Sequence, residues 1–168
     1  MSKTIQNIIV FILFTIYSCG VFAETVISGS ISGDAVWVKD SGGYIVDGVC
    51  IQDPKSTLKI SPGVSIRFNT GSVLILNGLV NAEGSDVDPI IIKGAQDDRF
   101  KIQLNSAADN SVLSWIEIRG GGDGFEGALV IKTGSPKVMN IKIINAKAFG
   151  FYAEKCNSSI IPNHHIYR

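Results

Sequence analysis

The feature that most constrains this chain is a strict alternation of apolar and polar residues in two neighbouring stretches. In TLKISPGVSIRF (57–68) the even-numbered positions are apolar residues or proline, while Ser, Lys and Arg fall among the odd-numbered ones. LILNGLVNAEG (74–84) keeps the same period, although Gly78 stands at an even position where a strand would carry a side chain. A period of two predicts short strands that bury one face.

The boundaries of these stretches favour an all-β chain without simple hairpins. Pro62-Gly63 and Asn69-Thr70-Gly71 provide turn residues at the ends of the stretches. Neither is the two-residue Asn-Gly or Asp-Gly turn that is typical of antiparallel hairpins. Ile and Val recur throughout, and no long run of good helix formers offers an amphipathic helix.

Internal repeats indicate a solenoid. Residues 127–140 align with residues 150–163 at a shift of 23, which places Gly127 on Gly150 and Asn140 on Asn163. Residues 113–120 align with residues 138–145 at a shift of 25 and match isoleucines to isoleucines. Two similar shifts predict a coil of about two dozen residues per turn. The first alignment also predicts an asparagine ladder, for which two exposed turn asparagines are the alternative.

The quoted stretches resemble the first rungs of secreted bacterial right-handed parallel β-helix repeat proteins of the pectin-lyase-like superfold. The similarity covers roughly residues 44–163. It implies an all-β, right-handed parallel β-helix of about 4–5 rungs over residues 44–168. Because that family includes polysaccharide lyases, hydrolases and adhesin-like surface proteins, the resemblance implies no single activity.

The N-terminal residues predict export. Residues 1–23 combine Lys3, the apolar run IIVFILFTIY and the small-residue site Val21-Phe22-Ala23, which is typical of a signal peptide helix. The apolar run is too short to favour a transmembrane anchor. Ile16-Tyr17-Ser18-Cys19 loosely matches a lipobox, so lipidation of Cys19 is the alternative to cleavage after Ala23.

The two ends of the solenoid are expected to differ. Residues 24–43 are predicted to form an N-terminal cap, which a solenoid needs to cover its first rung. At the other end NHHIYR (163–168) aligns with the middle of a rung. We therefore expect a C-terminal truncation, or an edge that pairs with another chain.

The cysteines Cys50 and Cys156 fall in the first and last predicted rungs. Several stacking steps of about 4.8 Å would separate them, which excludes a disulfide between them. Both are predicted to be packed residues or free thiols.

Glu117, Arg119 and Lys142 are the weak catalytic candidates. Glu117 and Arg119 alternate onto one side of a strand, and the shift of 25 places Lys142 beside Glu117. In a β-helix lyase an Arg or Lys would take a proton while acidic residues hold Ca²⁺, so Ca²⁺ is expected only under that alternative. A solvated salt-bridge ladder is the favoured interpretation.

Asp123 and Glu126 are the weak metal candidates. They lie in RGGGDGFEGA (119–128), which contains a formal GxGxxG but precedes a strand-like run rather than a helix. The dinucleotide interpretation therefore fails, and a flexible loop between rungs is favoured. No cofactor is expected.

Composition narrows the choice of partner. Fifteen basic and fifteen acidic residues give a net charge of zero, which does not favour nucleic acid as a partner.

We expect an exported, non-catalytic protein that is either surface-associated or secreted. Its expected partner is a polysaccharide, a cell-surface glycan or another surface molecule. A fragment of a lyase or glycoside hydrolase is the alternative. Trp115 and Tyr152 are candidates for sugar stacking, although core packing is the favoured role of either ring.

Overall fold

The computed structural model describes residues 23–39, 42–95, 99–105, 110–122 and 126–156, and the backbone of residues 165–167. These residues form fourteen strands and no α-helix. The strands are β1 (Thr25–Ile31), β2 (Ala35–Trp37), β3 (Tyr44–Gln52), β4 (Thr57–Ile60), β5 (Ser65–Phe68), β6 (Ser72–Leu76), β7 (Leu79–Glu83), β8 (Ile90–Gly94), β9 (Phe100–Leu104), β10 (Val112–Arg119), β11 (Gly127–Ile131), β12 (Lys137–Ile144), β13 (Phe149–Ala153) and β14 (His165–Tyr167).

The strands wind into a parallel β-solenoid of about five turns, which confirms the predicted architecture. Face 1 contains β2, β4, β7 and the first halves of β10 and β12. Face 2 contains the first halves of β1 and β3, then β5, β8, the second halves of β10 and β12, and β14. Face 3 contains the second halves of β1 and β3, then β6, β9, β11 and β13. The chain visits face 2, face 3 and face 1 in each turn.

The core consists of inward side chains that stack from coil to coil. On face 2 directly paired residues form one buried column: Tyr44, Ile66, Ile92, Ile118 and Ile143. A second column on face 3 contains Cys50, Leu74, Ile102 and Leu129. Parallel pairing places each apolar residue over an apolar residue of the previous coil, so the sequence period of two becomes a continuous core.

Gly78 lies at the corner between β6 and β7, where the chain turns from face 3 to face 1. Its φ is outside the left-handed region, so conformational freedom is not the reason for glycine here. A Cβ at this position would collide with the carbonyl oxygen of Ser56 and lie 2.7 Å from that of Asp53. The corner of one coil therefore rests directly on the backbone of the previous corner.

A buried glutamine holds this corner together. Gln52 is fully buried, and its Nε2 donates to the carbonyl oxygens of Ser56 at 3.2 Å and Leu79 at 3.1 Å. Its Oε1 accepts a hydrogen bond from the backbone N–H of Gly78 at 3.3 Å. One amide thus satisfies backbone groups of two successive corners that the tight turn would otherwise leave without partners.

Asparagines stack above that glutamine. Asn77 Nδ2 donates to the carbonyl oxygen of Gln52 at 3.1 Å, and Asn105 Nδ2 donates to Asn77 Oδ1 at 3.0 Å. This is an asparagine ladder at a corner, formed by residues other than the predicted pair. Of that pair, Asn140 is described and Asn163 lies outside the described residues.

The two predicted shifts have different outcomes. The shift of 25 is confirmed, since Leu113 pairs with Val138 and Ile118 with Ile143. The alignment of Gly127 with Gly150 is wrong by one residue, because Gly127 pairs with Phe149. A slip of one residue turns every side chain of a strand to the other face. The actual register keeps Leu129 and the partly buried Phe151 facing inward.

Residues 24–43, predicted to form a cap, include β1 and β2, which pair in parallel with β3 and β4. The Trp37 ring stacks on Tyr44 with centroids 4.7 Å apart, and both side chains are buried.

The prediction that Cys50 and Cys156 do not form a disulfide with each other is confirmed. Cys50 and Cys156 are both free thiols, and burial raises the pKa of Cys50.

We predict that Gly78→Ala destabilises the protein by about 3 kcal/mol, because the new methyl group has to displace the backbone of the previous corner. Gly33→Asn is the matched control, since Gly33 has a φ of +75° with nothing within 4 Å of its Cβ position and Asn tolerates that conformation. Urea denaturation of the three proteins measures the difference. Equal midpoints for Gly78→Ala and the wild type would contradict the close approach.

Candidate functional site

A groove of about 410 Å³ lies on the outside of the solenoid where face 1 turns into face 2. It is lined by Asp86, Pro89, Trp115, Ile116, Glu117, Asn140, Ile141 and Lys142. Three residues selected from the sequence, Trp115, Glu117 and Lys142, therefore meet in one depression. We call it the corner groove.

The corner groove arises because successive corners differ in width. Residues 84–89 connect β7 to β8 as a loop, whereas the next two turns pass this corner through single residues, Trp115 and Asn140. Gly84 permits the change, since a Cβ there would collide with the carbonyl oxygen of Trp115. The wide corner supplies Asp86 and Pro89, and the narrow corners supply the opposite wall.

Trp115 has a left-handed backbone conformation, with a φ of 52°. Asn140, the equivalent residue one coil later, has a φ of 51°. Asparagine adopts this conformation readily, whereas a bulky side chain pays about 1–2 kcal/mol for it. The Trp115 side chain is nevertheless 39% exposed, so this cost is not recovered by full burial in the core.

Glu117 is held between two cations on the adjacent part of face 2. Arg119 Nε donates to its Oε1 at 2.5 Å, and Lys142 Nζ donates to its Oε2 at 3.2 Å. The Glu117 side chain is only 15% exposed, while those of Arg119 and Lys142 are about half exposed. The predicted proximity of Glu117, Arg119 and Lys142 is confirmed by this geometry.

Glu117 is a stable anion in this arrangement. Partial burial raises its pKa, but the hydrogen bonds from Arg119 and Lys142 outweigh burial and hold the pKa below its ordinary value of 4.5. A carboxyl with a lowered pKa is a poor proton donor near neutral pH. Glu117, Arg119 and Lys142 therefore form an ion-paired cluster beside the groove. This cluster does not resemble a general acid with its partner base.

Glu126, one of the two metal candidates, is paired with two lysines. It forms ion pairs with Lys101 and, at 2.8 Å, with Lys132. Hydrogen bonds from Lys101 and then Lys132 hold the pKa of Glu126 below its ordinary value. Asp123, the other candidate, lies outside the described residues. Where side chains are described, no group of three or more His, Cys, Asp or Glu residues could hold a metal ion.

The expectation that Trp115 and Tyr152 pack in the core is wrong. Tyr152 is 36% exposed, and Lys132 Nζ lies 5.4 Å from the centroid of its ring. Tyr152 belongs to β13 on face 3, whereas Trp115 lies at the corner of faces 1 and 2. The two rings therefore do not form an aromatic row.

Sequence reasoning missed the contributions of Asp86, Pro89 and Asn140 to the corner groove. The available signal was the confirmed shift of 25, which places Trp115 and Asn140 at equivalent positions. An asparagine at a repeat position that interrupts a strand is typical of a left-handed corner. That pattern would have predicted an outward Trp115.

Cys19, the lipidation candidate, lies outside the described residues. Throughout the described ranges, no helix has the length and apolar character needed to cross a membrane.

No family model, curated protein or solved structure matches this chain.

We predict that Glu117→Gln lowers the free energy of unfolding by about 1 kcal/mol near pH 7 and by progressively less in acid. The lowered pKa means that ionised Glu117 stabilises the folded state above pH 4.5, and that this stabilisation disappears as the pH falls through the lowered pKa. Denaturation of both proteins at several pH values between about 7 and 3 measures the difference.

Glu83→Gln, which changes an exposed glutamate at the end of β7, is the control for loss of a carboxylate. A difference between wild type and Glu117→Gln that does not vary with pH would contradict the ion-paired state of Glu117.

Proposed function

We propose that this protein is an exported, non-catalytic β-solenoid that binds polysaccharide in the corner groove. The observation that carries the proposal is Trp115, an exposed ring at a strained corner position beside a groove. Strain that persists at an exposed residue is typical of functional sites.

The lining of the groove suits a sugar. The ring of Trp115 offers an apolar face on which a sugar ring can stack. Hydrogen-bond donors and acceptors around it come from Asp86, Glu117, Asn140 and Lys142. The volume of about 410 Å³ lies within the range of small-ligand pockets. One aromatic platform with several polar neighbours favours a glycan over a wholly apolar ligand.

We further propose that the solenoid is a right-handed member of the pectin-lyase-like superfold. The parallel coils of about five turns, together with the alternating stretches around Pro62-Gly63 and Gly78, support this relation. A surface-associated or secreted role agrees with the residues that resemble a signal peptide.

Export has a direct test. Mass spectrometry of the mature protein from a secreting host should find an N-terminus at Glu24, after cleavage following Ala23. A lipid-modified N-terminus at Cys19 would instead support the lipoprotein alternative. An intact N-terminus on protein that stays inside the cell would contradict export.

The alternative function is that of a fragment of a polysaccharide lyase or glycoside hydrolase. It is favoured by one observation, the presence of Glu117 and Lys142 on the groove wall. Against it, Lys142 Nζ already donates a hydrogen bond to Glu117 at 3.2 Å, so the two side chains contact each other and do not face an open position for a substrate between them. Ca²⁺ would be required only for this alternative.

We predict that Trp115→Asn abolishes polysaccharide binding while the free energy of unfolding changes by about 1 kcal/mol or less. Asparagine relieves the left-handed strain, which offsets the loss of the partly buried ring. Affinity electrophoresis through gels that contain different polysaccharides measures binding, and thermal unfolding verifies the fold.

Tyr152→Asn is the matched control, because Tyr152 is comparably exposed but lies on another face. Equal retardation of Trp115→Asn and wild type, or no retardation by any polysaccharide, would contradict binding in the corner groove. A Ca²⁺-dependent rise in absorbance on polyuronate, which reports new double bonds, would establish the lyase alternative.

A further inference from the structure

The first coil of the solenoid has one unpaired edge. Within the described part of the chain, β1 pairs only with β3, and β2 pairs only with β4. The other side of both strands faces away from the stack, at the N-terminal end of the solenoid. Thr25–Ile31 and Ala35–Trp37 contain no charged residue and no proline, which natural proteins place on strands to prevent edge pairing. We call the free sides of β1 and β2 the open edge.

Alternate residues of these strands direct their backbone groups toward the open edge. The N–H of Thr25 and the carbonyl oxygen of Ile31 form hydrogen bonds of 2.9 and 3.0 Å with the chain at the two ends of β3. The carbonyl oxygen of Trp37 accepts a bond of 2.9 Å from the residue that follows β4. Consecutive residues of a strand point their N–H and C=O groups to opposite sides. The residues whose backbone groups face the open edge are therefore Val26, Ser28, Ser30 and Val36.

The core is incompletely covered at the open edge. Ile27, Ile31 and Ala35 pair with fully buried residues of the second coil, so their side chains point inward. They are nevertheless only partly buried. On the outer surface of the same strands, Val26 and Val36 are 59% and 58% exposed. A further layer of strands on the open edge would cover apolar side chains and satisfy backbone groups together.

The shape of the first coil makes the open edge complementary to itself. β1 passes from face 2 to face 3 between Ser28 and Gly29, and β2 lies on face 1 opposite that corner. A two-fold axis through the corner and through the middle of β2 is perpendicular to the solenoid axis. It places β1 antiparallel to β1 of a second copy, and β2 antiparallel to β2.

This symmetry opposes the residues whose backbone groups are directed outward along the axis. Val26 faces Ser30 of the second copy, and Ser28 and Val36 each face their own equivalents. Directly opposed residues of this kind exchange both N–H···O=C bonds in an antiparallel ladder. On the inner side Ile27 faces Gly29 of the second copy, where a Cβ would have nothing within 4 Å. The register therefore pairs a large side chain with open space.

Charges at the two ends of β2 match in the same arrangement. Asp34 precedes β2 and Lys39 follows it by two residues, and both are exposed. Lys39 Nζ lies 2.7 Å from Asp88 Oδ2 of its own chain, with 57% of its side chain exposed. Antiparallel pairing about Val36 brings Lys39 of each copy beside Asp34 of the other. Since opposite charges approach twice across the axis, the open edge favours a second copy over an unrelated extended segment.

We propose that this protein forms a head-to-head dimer in which the open edges of two copies pair antiparallel and one core continues through both solenoids. The dimer is isologous, with Ser28 and Val36 on the two-fold axis. The corner groove contains no residue of β1 or β2, so the inference does not depend on what the groove binds.

Sedimentation velocity of the purified protein at chain concentrations between about 1 and 100 μM tests the assembly. We expect a species with twice the mass of one chain at the upper concentrations. A monomer throughout this range would overturn the proposal. Hydrogen exchange that protects the β1 amides in such a monomer would identify a segment of the same chain as the occupant of the edge.

Ser28→Lys should weaken the dimer by about tenfold or more, because it places two lysines opposite each other on the two-fold axis. Ser28→Asp should have the same effect. An equimolar mixture of the two variants opposes Lys with Asp, and should form a heterodimer with an affinity within about threefold of the wild type. Val36→Lys tests the axis on face 1 if either Ser28 variant fails to fold.

Val49→Lys is the matched control, because it adds the same charge at a 55% exposed outward position of the second coil. It should change the dissociation constant by less than about twofold. A dimer that is weakened by Val49→Lys but not by Ser28→Lys would place the interface on face 3 and overturn the proposal. Failure of the Lys and Asp variants to associate with each other would overturn the two-fold register.

Trp115→Asn separates this proposal from polysaccharide binding. Trp115 lies outside the open edge, so the variant should form the dimer with the affinity of the wild type, whether or not it retains polysaccharide. Loss of the dimer in a folded Trp115→Asn variant would contradict pairing through β1 and β2.

Discussion

Stacking of one coil on the next is the interaction on which the rest of this structure depends. An isolated coil has three short strands and cannot enclose a core, so its inward side chains become buried only against neighbouring coils. The column from Tyr44 to Ile143 shows how parallel pairing achieves this, with each residue covering its partner. The outward side chains of paired strands are consequently repeated at the same interval as the inward ones, with one position per coil.

The corners differ in length from coil to coil, whereas the strands of each face keep a fixed register. Strand positions are restricted by register, whereas the turn between face 1 and face 2 changes from the loop at residues 84–89 to a single residue at Trp115. The other end of face 1 is restrained differently, since the amide of Gln52 bonds to backbone groups of two coils. The candidate site lies at the variable corner, where a change of width created a groove without disturbing the stack.

The sequence predicted the parts of this molecule that obey a period. Alternation around Ile66 and Leu74 predicted the strands, and the shift of 25 placed Lys142 beside Glu117, as the structure confirms. Near Gly127 the same reasoning was wrong by one residue, because matched glycines carry no information about which face is buried. The exposure of Trp115 depends on a left-handed φ, a property of one backbone position that alternation does not report.

The parallel stack has a mechanical consequence. Backbone hydrogen bonds between coils point along the solenoid axis, whereas the covalent chain runs around it. Tension along the axis therefore acts on the ladders between coils one after another, while tension across the axis is carried by peptide bonds. Gln52, Asn77 and Asn105 connect three successive coils through side chains at one corner, parallel to those ladders. They act as a seam that shares axial load with the backbone.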